Sequence, residues 1–203
     1  MSKITSSLIL LLLAVSMTAC GPAGLEDDIH RDWRAVLELK KEAENAPQSK
    51  RVVSRQAWAA ALFEFTNRYP EHIRARHAYE ELELDFARLM ASRGRYEEAI
   101  RHYRAVLQGD PGHEAARAEL DLAERRRFVT ADAVAALRRG MSQDDVSERI
   151  GVPAPGWSRR LERDETTIDS WYYPRSDGGV AGVFFRNGEL FAAEFDRPVN
   201  SGG

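Results

Sequence analysis

The sequence contains a single cysteine, Cys20, among its 203 residues. One cysteine excludes an intrachain disulfide framework, a CxxC redox pair and a cysteine-rich zinc site. The charge is nearly balanced, with 29 Lys and Arg against 32 Asp and Glu and a formal net charge of −3. This balance lacks the basic character of a general binder of nucleic acid or anionic surfaces. With 43% hydrophobic and 30% charged residues, the chain can bury a core and is not expected to be disordered.

Long apolar runs are also missing. The apolar run Leu8–Val15 has eight residues and would span about 12 Å as a helix, whereas a bilayer crossing needs about 20 residues. No later stretch approaches 18 apolar residues. Because the positive Lys3 precedes the run and small residues follow it, we predict a secretory signal peptide over residues 1–19 and no transmembrane helix.

The residues at the end of this segment read Met17-Thr18-Ala19-Cys20. They resemble a bacterial lipobox, with methionine where leucine is usual. The resemblance implies that Cys20 carries a thioether-linked diacylglycerol and an N-acyl chain such as palmitate, and that it is the mature N-terminus. Several acyl chains would hold the protein firmly on a membrane. The alternative is an ordinary signal peptide with an incidental cysteine.

The residue after Cys20 bears on which membrane is expected. Gly21 stands where an aspartate would signal retention at the inner membrane. By that analogy the protein is expected on the outer membrane, facing the periplasm. Residues 20–25 would then form a lipidated, flexible tether between the membrane and the fold.

Residues 26–127 predict a helical region. Apolar residues recur at helical spacing in five segments, and the first two stripes include Leu37 and Val53. Prolines and glycines end four of the segments, and the fifth runs from near His113 to about Arg127.

The segment from Gly94 to Leu107, closed by Asp110-Pro111, resembles the second helix of a tetratricopeptide repeat. In this register Glu83 stands where the repeat usually has tryptophan. The resemblance implies a groove that holds a segment of another protein. The groove would be lined by Glu81, Leu84 and Arg88, and the repeat signature positions are Ala87, Gly94, Ala99, Tyr103 and Pro111. The alternatives are a plain helical bundle and, for the groove residues, solvated helix positions.

Residues 128–197 predict a second, mixed domain, followed by a tail at 198–203. Thr130 and Ser142 are typical N-caps of two helices, Val129–Leu137 and Gln143–Ile150. Strands are expected at Trp157–Arg163, Ile168–Tyr173, Val180–Arg186 and Glu189–Phe195, with Asn187-Gly188 as a hairpin turn between the last two.

This second domain resembles the SmpA/OmlA family of small outer-membrane lipoproteins, which includes the smallest lipoprotein of the β-barrel assembly machinery. The likeness lies in the Thr130-Ala131 helix start, in Leu137–Ser142, in Val146 and in Ile150–Pro153, followed by an aromatic strand and a terminal hairpin. It implies two helices on an antiparallel sheet, a β-lactamase-inhibitor-like fold with a binding role and no catalytic residue. The domain signature residues are Gly140, Met141, Gly151 and Pro153.

Two aromatic residues of the predicted second strand are candidates for contact with a partner. Trp171 and Tyr173 fall on one face of the strand and Tyr172 on the other, so at least one is expected to be exposed.

Chemistry-bearing motifs are sparse. The five histidines are scattered over the helical half without metal-ligand spacing, and we interpret them as surface residues. No nucleophile elbow, Walker loop or zincin helix occurs, so we predict no catalytic residue, metal, cofactor or small-molecule substrate. Arginines cluster near the junction of the two halves at 125–127, 138–139 and 159–160. They indicate either a solvated helix end or a basic patch for lipid headgroups or an acidic partner.

The sequence therefore predicts an α+β protein, with tetratricopeptide-like helical hairpins before a small two-helix and antiparallel-sheet domain. We expect a non-enzymatic, lipid-anchored scaffold that binds envelope proteins, in particular outer-membrane assembly components, and no nucleic acid. An adaptor for another envelope machine, in secretion, pilus formation or cell-wall synthesis, is the alternative. A cell-wall enzyme would require convergent titratable groups around a pocket in the second domain.

Overall fold

A computed structural model describes residues 23–197, and within them it places seven helices and one four-stranded antiparallel sheet, confirming the α+β class. Cys20 and the 198–203 tail lie outside the described residues. Within the described range, no helix has both the length and the apolar character needed to cross a bilayer. The helices are α1 (Ala23–Asn45), α2 (Arg51–Arg68), α3 (Ile73–Ser92), α4 (Tyr96–Gly109), α5 (Glu114–Arg127), α6 (Ala131–Ala135) and α7 (Gln143–Ile150), and the strands are β1 (Ser158–Arg163), β2 (Thr166–Pro174), β3 (Val180–Arg186) and β4 (Glu189–Arg197).

The chain divides into two compact units, one ending at Trp58 and one beginning at Ala59. The boundary lies inside α2 and not at residues 127/128, where the sequence suggested a division. Helices α3–α5 and the sheet therefore belong to the same unit.

The first unit contains α1 and the beginning of α2. Val36 and Ala43 of the predicted α1 stripe are buried, but Leu37 is 42% exposed. The helical pitch explains the difference, because adjacent residues point about 100° apart and Leu37 cannot share the side of Val36. Val53, expected on the apolar stripe of α2, is 67% exposed. The Lys40 ammonium lies 5.6 Å from the centre of the Trp58 ring.

After the end of α2, the second unit contains three successive helices, α3, α4 and α5, that share one apolar core. Gly94 has a φ of +71° and makes the tight turn between α3 and α4, a conformation that glycine adopts without strain. The residues that form this core are Leu84, Ala87, Tyr96, Ala99, Ile100, Tyr103, Val106, Ala116 and Ala123.

The sheet of the second unit has the simple order β1-β2-β3-β4. Asn187 and Gly188 both have positive φ, at +51° and +84°, which gives the two-residue turn that the sequence predicted between β3 and β4. Helices α6 and α7 contribute to a second core with one face of the sheet. That core contains Val129, Val134, Val146, Ile150, Tyr173, Ala181, Val183, Phe185 and Leu190.

The two short helices begin at the predicted caps. The Thr130 hydroxyl accepts from the Ala133 amide, and Ser142 forms a capping box with Asp145. Helix α6 is only five residues long, shorter than the predicted 129–137. It ends in a tighter turn, in which the Leu137 amide donates to the Val134 carbonyl, and the Gly140 amide then donates to the Leu190 carbonyl at 2.8 Å, which fastens the following loop to β4.

Candidate functional site

A cleft of about 480 Å³ lies within the second unit, where the helical hairpins meet the mixed domain. Four parts of the chain form it: the start of α4, the end of α5, the loop after α7 and the end of β2. Its volume is in the range of clefts that hold small ligands or a few residues of a peptide.

The floor of the cleft is the loop after α7, held by two buried tyrosines. The Tyr96 hydroxyl accepts a hydrogen bond from the Val152 amide at 2.9 Å and lies 3.3 Å from the Val152 carbonyl oxygen, to which it donates. The Tyr173 hydroxyl donates to the Gly151 carbonyl at 2.9 Å. Burial raises the pKa of both tyrosines. Both phenols are therefore neutral at physiological pH and able to donate.

Two glycines permit this close approach of the helices to the loop. A Cβ atom on Gly94 would lie 2.5 Å from the Pro153 carbonyl oxygen, and one on Gly151 would lie 2.2 Å from the Tyr96 hydroxyl. Both glycines also have positive φ, at +71° and +87°. The repeat signature glycine and a domain signature glycine thus serve one contact, between the helical turn and the loop.

The lining of the cleft is mostly apolar, and its rim is charged. Phe128, Val152, Ala154, Pro155 and Pro174 contribute the apolar surface.

Three arginines and two glutamates stand around this surface. Arg95 pairs with Glu98 at 2.6 Å, and Arg127 pairs with Glu97 at 2.6 Å. Arg126 forms no ion pair within residues 23–197; it donates from Nη2 to the Glu148 carbonyl at 2.6 Å. The Nε atom of Arg126 is buried and has no acceptor among the described residues. The net charge around the cleft is therefore positive, and Arg126 carries it.

The arginine clusters predicted at the junction have separate environments. Of the 125–127 cluster, Arg126 and Arg127 line the cleft, whereas Arg125 pairs with Asp121 on the exposed side of α5. Arg160 forms a bidentate pair with the buried carboxylate of Asp169 at 2.7 and 3.2 Å, which Gln143 also contacts. Arg125 and Arg160 are therefore each paired with a carboxylate, that of Asp121 and that of Asp169.

The predicted groove residues of α3 have different environments. Glu81 is exposed. Leu84 is 8% exposed and belongs to the core of α3–α5, so the expectation that it faces a partner is wrong. Arg88 is half exposed and forms a bidentate pair with Glu119 of α5. Its Nη2 donates to Oε1 at 2.7 Å and its Nε donates to Oε2 at 2.9 Å.

The predicted aromatic contact residues of β2 are largely covered. Tyr173 is 2% exposed, and its position in the sheet core corrects the expectation that it offers a surface to a partner. Burial follows from its side of the strand, which faces α6 and α7. Trp171 is half-buried on the same side, with its ring 4.7 Å from that of Phe185.

A smaller cavity of about 280 Å³ lies between α3 and α5. Arg88, Tyr103 and Glu119 line it as a connected network. The pKa of the Glu119 carboxyl is lowered, chiefly by the hydrogen bond from Arg88 and further by the Tyr103 hydroxyl. The pKa of Tyr103 is raised by burial and by the Glu119 carboxylate.

The histidines have structural partners that the sequence analysis did not predict. His72 and His113 are the N-caps of α3 and α5, and their Nδ1 atoms accept from amides three residues later at 3.1 and 3.2 Å. His102 Nδ1 lies 2.6 Å from Glu83 Oε2, half-buried between α3 and α4. His72 and His113 stand just before the first residues of α3 and α5, a place where side-chain acceptors are favoured. Residues 23–197 contain no cluster of three or more potential metal-ligating side chains.

The remaining signature residues serve the fold. Ala87 and Ala99 are completely buried, Tyr103 is 2% exposed and Pro111 is exposed. Gly140 has a φ of +86°, and the Met141 carbonyl accepts from the Leu190 amide at 2.8 Å.

Comparisons of the chain with protein-family models, with curated proteins and with solved structures give no match.

Proposed function

We propose that this protein is a non-enzymatic binding lipoprotein of the bacterial outer membrane. It faces the periplasm and serves as an accessory scaffold in outer-membrane protein assembly or envelope maintenance. The observation that carries the proposal is the joining of helical hairpins and a mixed domain in one unit, through the Tyr96 contact with Val152, around a cleft open to a ligand.

The helical hairpins support a tetratricopeptide-like role. Ala87 of α3 and Ala99 of α4 have no exposed surface, which allows these two helices to approach closely, and Gly94 makes the turn between them. Arg88 of α3 pairs with Glu119 of α5 and so connects these two helices, as expected where successive repeats stack.

The mixed domain supports a SmpA/OmlA-like role. Two short helices, α6 and α7, pack on one face of an antiparallel sheet in which consecutive strands are neighbours. The signature residues Gly140 and Gly151 both lie at positive φ in turns at the helix ends. Domains with this architecture bind other proteins in the family that the sequence resembles, and the same role is proposed here.

Lipid attachment at Cys20 is tested by metabolic labelling. Cells that express the full chain are grown with radiolabelled palmitate, and the protein is immunoprecipitated. The wild type should carry the label and fractionate with the outer membrane, and a Cys20→Ala variant should carry none. Met17→Leu, which restores the usual lipobox leucine, is the matched control and should stay labelled. Persistent labelling of Cys20→Ala would refute the anchor.

The scaffold role is tested by crosslinking in intact cells. A photoactivatable amino acid placed at Glu97, on the exposed rim of the cleft, or at Glu81, on α3, should capture envelope-assembly components. The same probe at Asp121, on the exposed side of α5, serves as the control. Recovery of components of a secretion, pilus or cell-wall machine instead would replace the assembly role with an adaptor role. Recovery of nothing above the control would contradict both.

A further inference from the structure

We propose that the cleft between the helical hairpins and the mixed domain is a peptide-binding site, and that its occupant is an extended apolar segment with a carboxylate that pairs with Arg126. This inference rests on the proposed function and deepens it, because it assigns a site and a ligand chemistry to the scaffold.

The charge of the cleft selects an anion. Arg95 and Arg127 are compensated by Glu98 and Glu97, but no carboxylate of the described residues compensates Arg126. Its only hydrogen-bond acceptor there is the Glu148 carbonyl, which is neutral. Charged groups that are partly buried are normally paired. An arginine held at a cleft without a carboxylate thus has the chemistry of a ligand contact.

The position of Arg126 is fixed before any ligand arrives. The Arg126 Cδ atom lies 3.1 Å from where a Gly151 Cβ would be, so the aliphatic stem packs on the glycine of the loop. The Glu148 carbonyl holds one end of the guanidinium at 2.6 Å. A side chain fixed in this way loses little conformational entropy on binding, which favours affinity.

The walls of the cleft select the rest of the ligand. Phe128, Pro155 and Pro174 are rigid apolar surfaces, and such walls are typical of grooves that bind extended peptide segments. The volume of about 480 Å³ is sufficient for a few residues and too small for a folded element.

The charged rim favours a peptide over an acyl chain. After pairing, the side chains of Arg95, Glu97, Glu98 and Arg127 keep further hydrogen-bonding capacity at the rim, which the methylene groups of an acyl chain could not use. A peptide backbone offers amides and carbonyls that can hydrogen-bond with them.

The test uses the purified full chain and a random octapeptide library displayed with free C-termini. Enriched peptides are synthesised with a fluorescent label, and their affinity is measured by fluorescence anisotropy. We expect apolar peptides with a carboxylate at or near the C-terminus. Replacing that carboxylate by its amide should weaken binding on the order of tenfold or more.

Variants locate the binding site. Arg126→Gln should weaken binding of the same peptides on the order of tenfold, and Arg126→Lys should retain part of the affinity because it keeps the charge. Arg125→Gln is the matched control, since this neighbouring arginine pairs with Asp121 away from the cleft, and it should bind like the wild type. Ala154→Leu adds bulk inside the cleft while leaving every arginine in the sequence, and it should also abolish binding. This second variant keeps the test decisive where Arg126→Gln does not fold.

Three outcomes would overturn the peptide site. These are a library that yields no enriched peptide, enriched peptides that bind Arg126→Gln and Ala154→Leu as tightly as the wild type, and added myristate that displaces every enriched peptide. Partner capture in cells together with any of these results would leave the scaffold role standing and place the partner elsewhere on the molecule.

Discussion

The hydroxyl group of Tyr96, at the start of α4, accepts a hydrogen bond from the backbone amide of Val152, 56 residues later in the chain, at 2.9 Å. This bond joins the first turn of a helix in the hairpin region to the loop that ends α7. The Tyr96 side chain thereby connects two elements that the sequence assigns to different modules.

The first prediction concerns this bond. Tyr96→Phe keeps the ring but leaves the part-buried Val152 amide without its acceptor, so the free energy of unfolding should fall by about 1–3 kcal/mol. Urea denaturation of the purified protein measures the loss. Tyr173→Phe removes the bond to Gly151 in the same loop. Because both bonds hold one loop, the double variant should lose less than the two single losses combined. Strict additivity would show that the tyrosines act independently.

The second prediction separates two roles of glycine. In Gly151→Ala the new Cβ would lie 2.2 Å from the Tyr96 hydroxyl oxygen, and in Gly94→Ala it would lie 2.5 Å from the Pro153 carbonyl oxygen. Both glycines also have positive φ. Gly140→Ala has a similar φ, +86°, but meets nothing within 4 Å. It should therefore cost only the backbone term of about 1–2 kcal/mol. The first two variants should cost clearly more by thermal or urea denaturation. Equal losses at all three positions would mean that the close approach is not required.

The third prediction is a pH dependence. The pKa of Glu119 is lowered from its usual value of 4.5, first by the hydrogen bond from Arg88. A lowered folded-state pKa stabilises the fold above pH 4.5, and the contribution disappears as the pH falls through the folded-state value. Arg88→Gln should therefore lower the free energy of unfolding at neutral pH by less than about 1 kcal/mol, since the pair is partly exposed.

The difference between wild type and Arg88→Gln should then shrink in acid. Urea denaturation at a series of pH values from neutral to below 4.5 measures it. Arg125→Gln, which removes the exposed pair with Asp121, is the control and should not change this acid dependence. A difference between wild type and Arg88→Gln that grows in acid would contradict the assignment.

The fourth prediction tests the histidine cap of α5. His113 accepts from the Ala116 amide through Nδ1 at 3.2 Å. His113→Asn should keep the stability, because asparagine is a good N-cap, and His113→Ala should lose about 1 kcal/mol. Thermal denaturation distinguishes the two variants. Equal stability of both would show that the cap contributes nothing.

Local patterns predicted much of the secondary structure. Asn187-Gly188 gave the β-turn, Ser142 gave the α7 cap, and Val180–Arg186 forms a strand with the predicted bounds. These features depend on residues a few positions apart, so the sequence shows them directly. The α6 prediction was too long: the helix ends at Ala135, and the loop after it is held to a distant strand by the hydrogen bond from Gly140 to Leu190.

Only part of the candidate site could be predicted from the sequence. The sequence marked the arginines near the junction, Gly94 and Gly151, but it assigned partner contact to Leu84 and Tyr173, which are buried. A helical or strand pattern shows which side a residue occupies, but not which side the rest of the chain covers. The hydrogen bond between Tyr96 and Val152, which holds the cleft floor, has no local sequence signal because the two residues are 56 positions apart.

The sequence by itself determined the α+β composition, the order of the helices and strands, and the turns at Gly94 and Asn187-Gly188. Only the tertiary structure decided that the helical hairpins and the sheet form one unit, and that Arg126 stands at their junction without a carboxylate while its neighbours are paired. Secondary structure follows from periodicity and short-range hydrogen bonds. The cleft arises from contacts between residues far apart in the chain, which packing alone brings together.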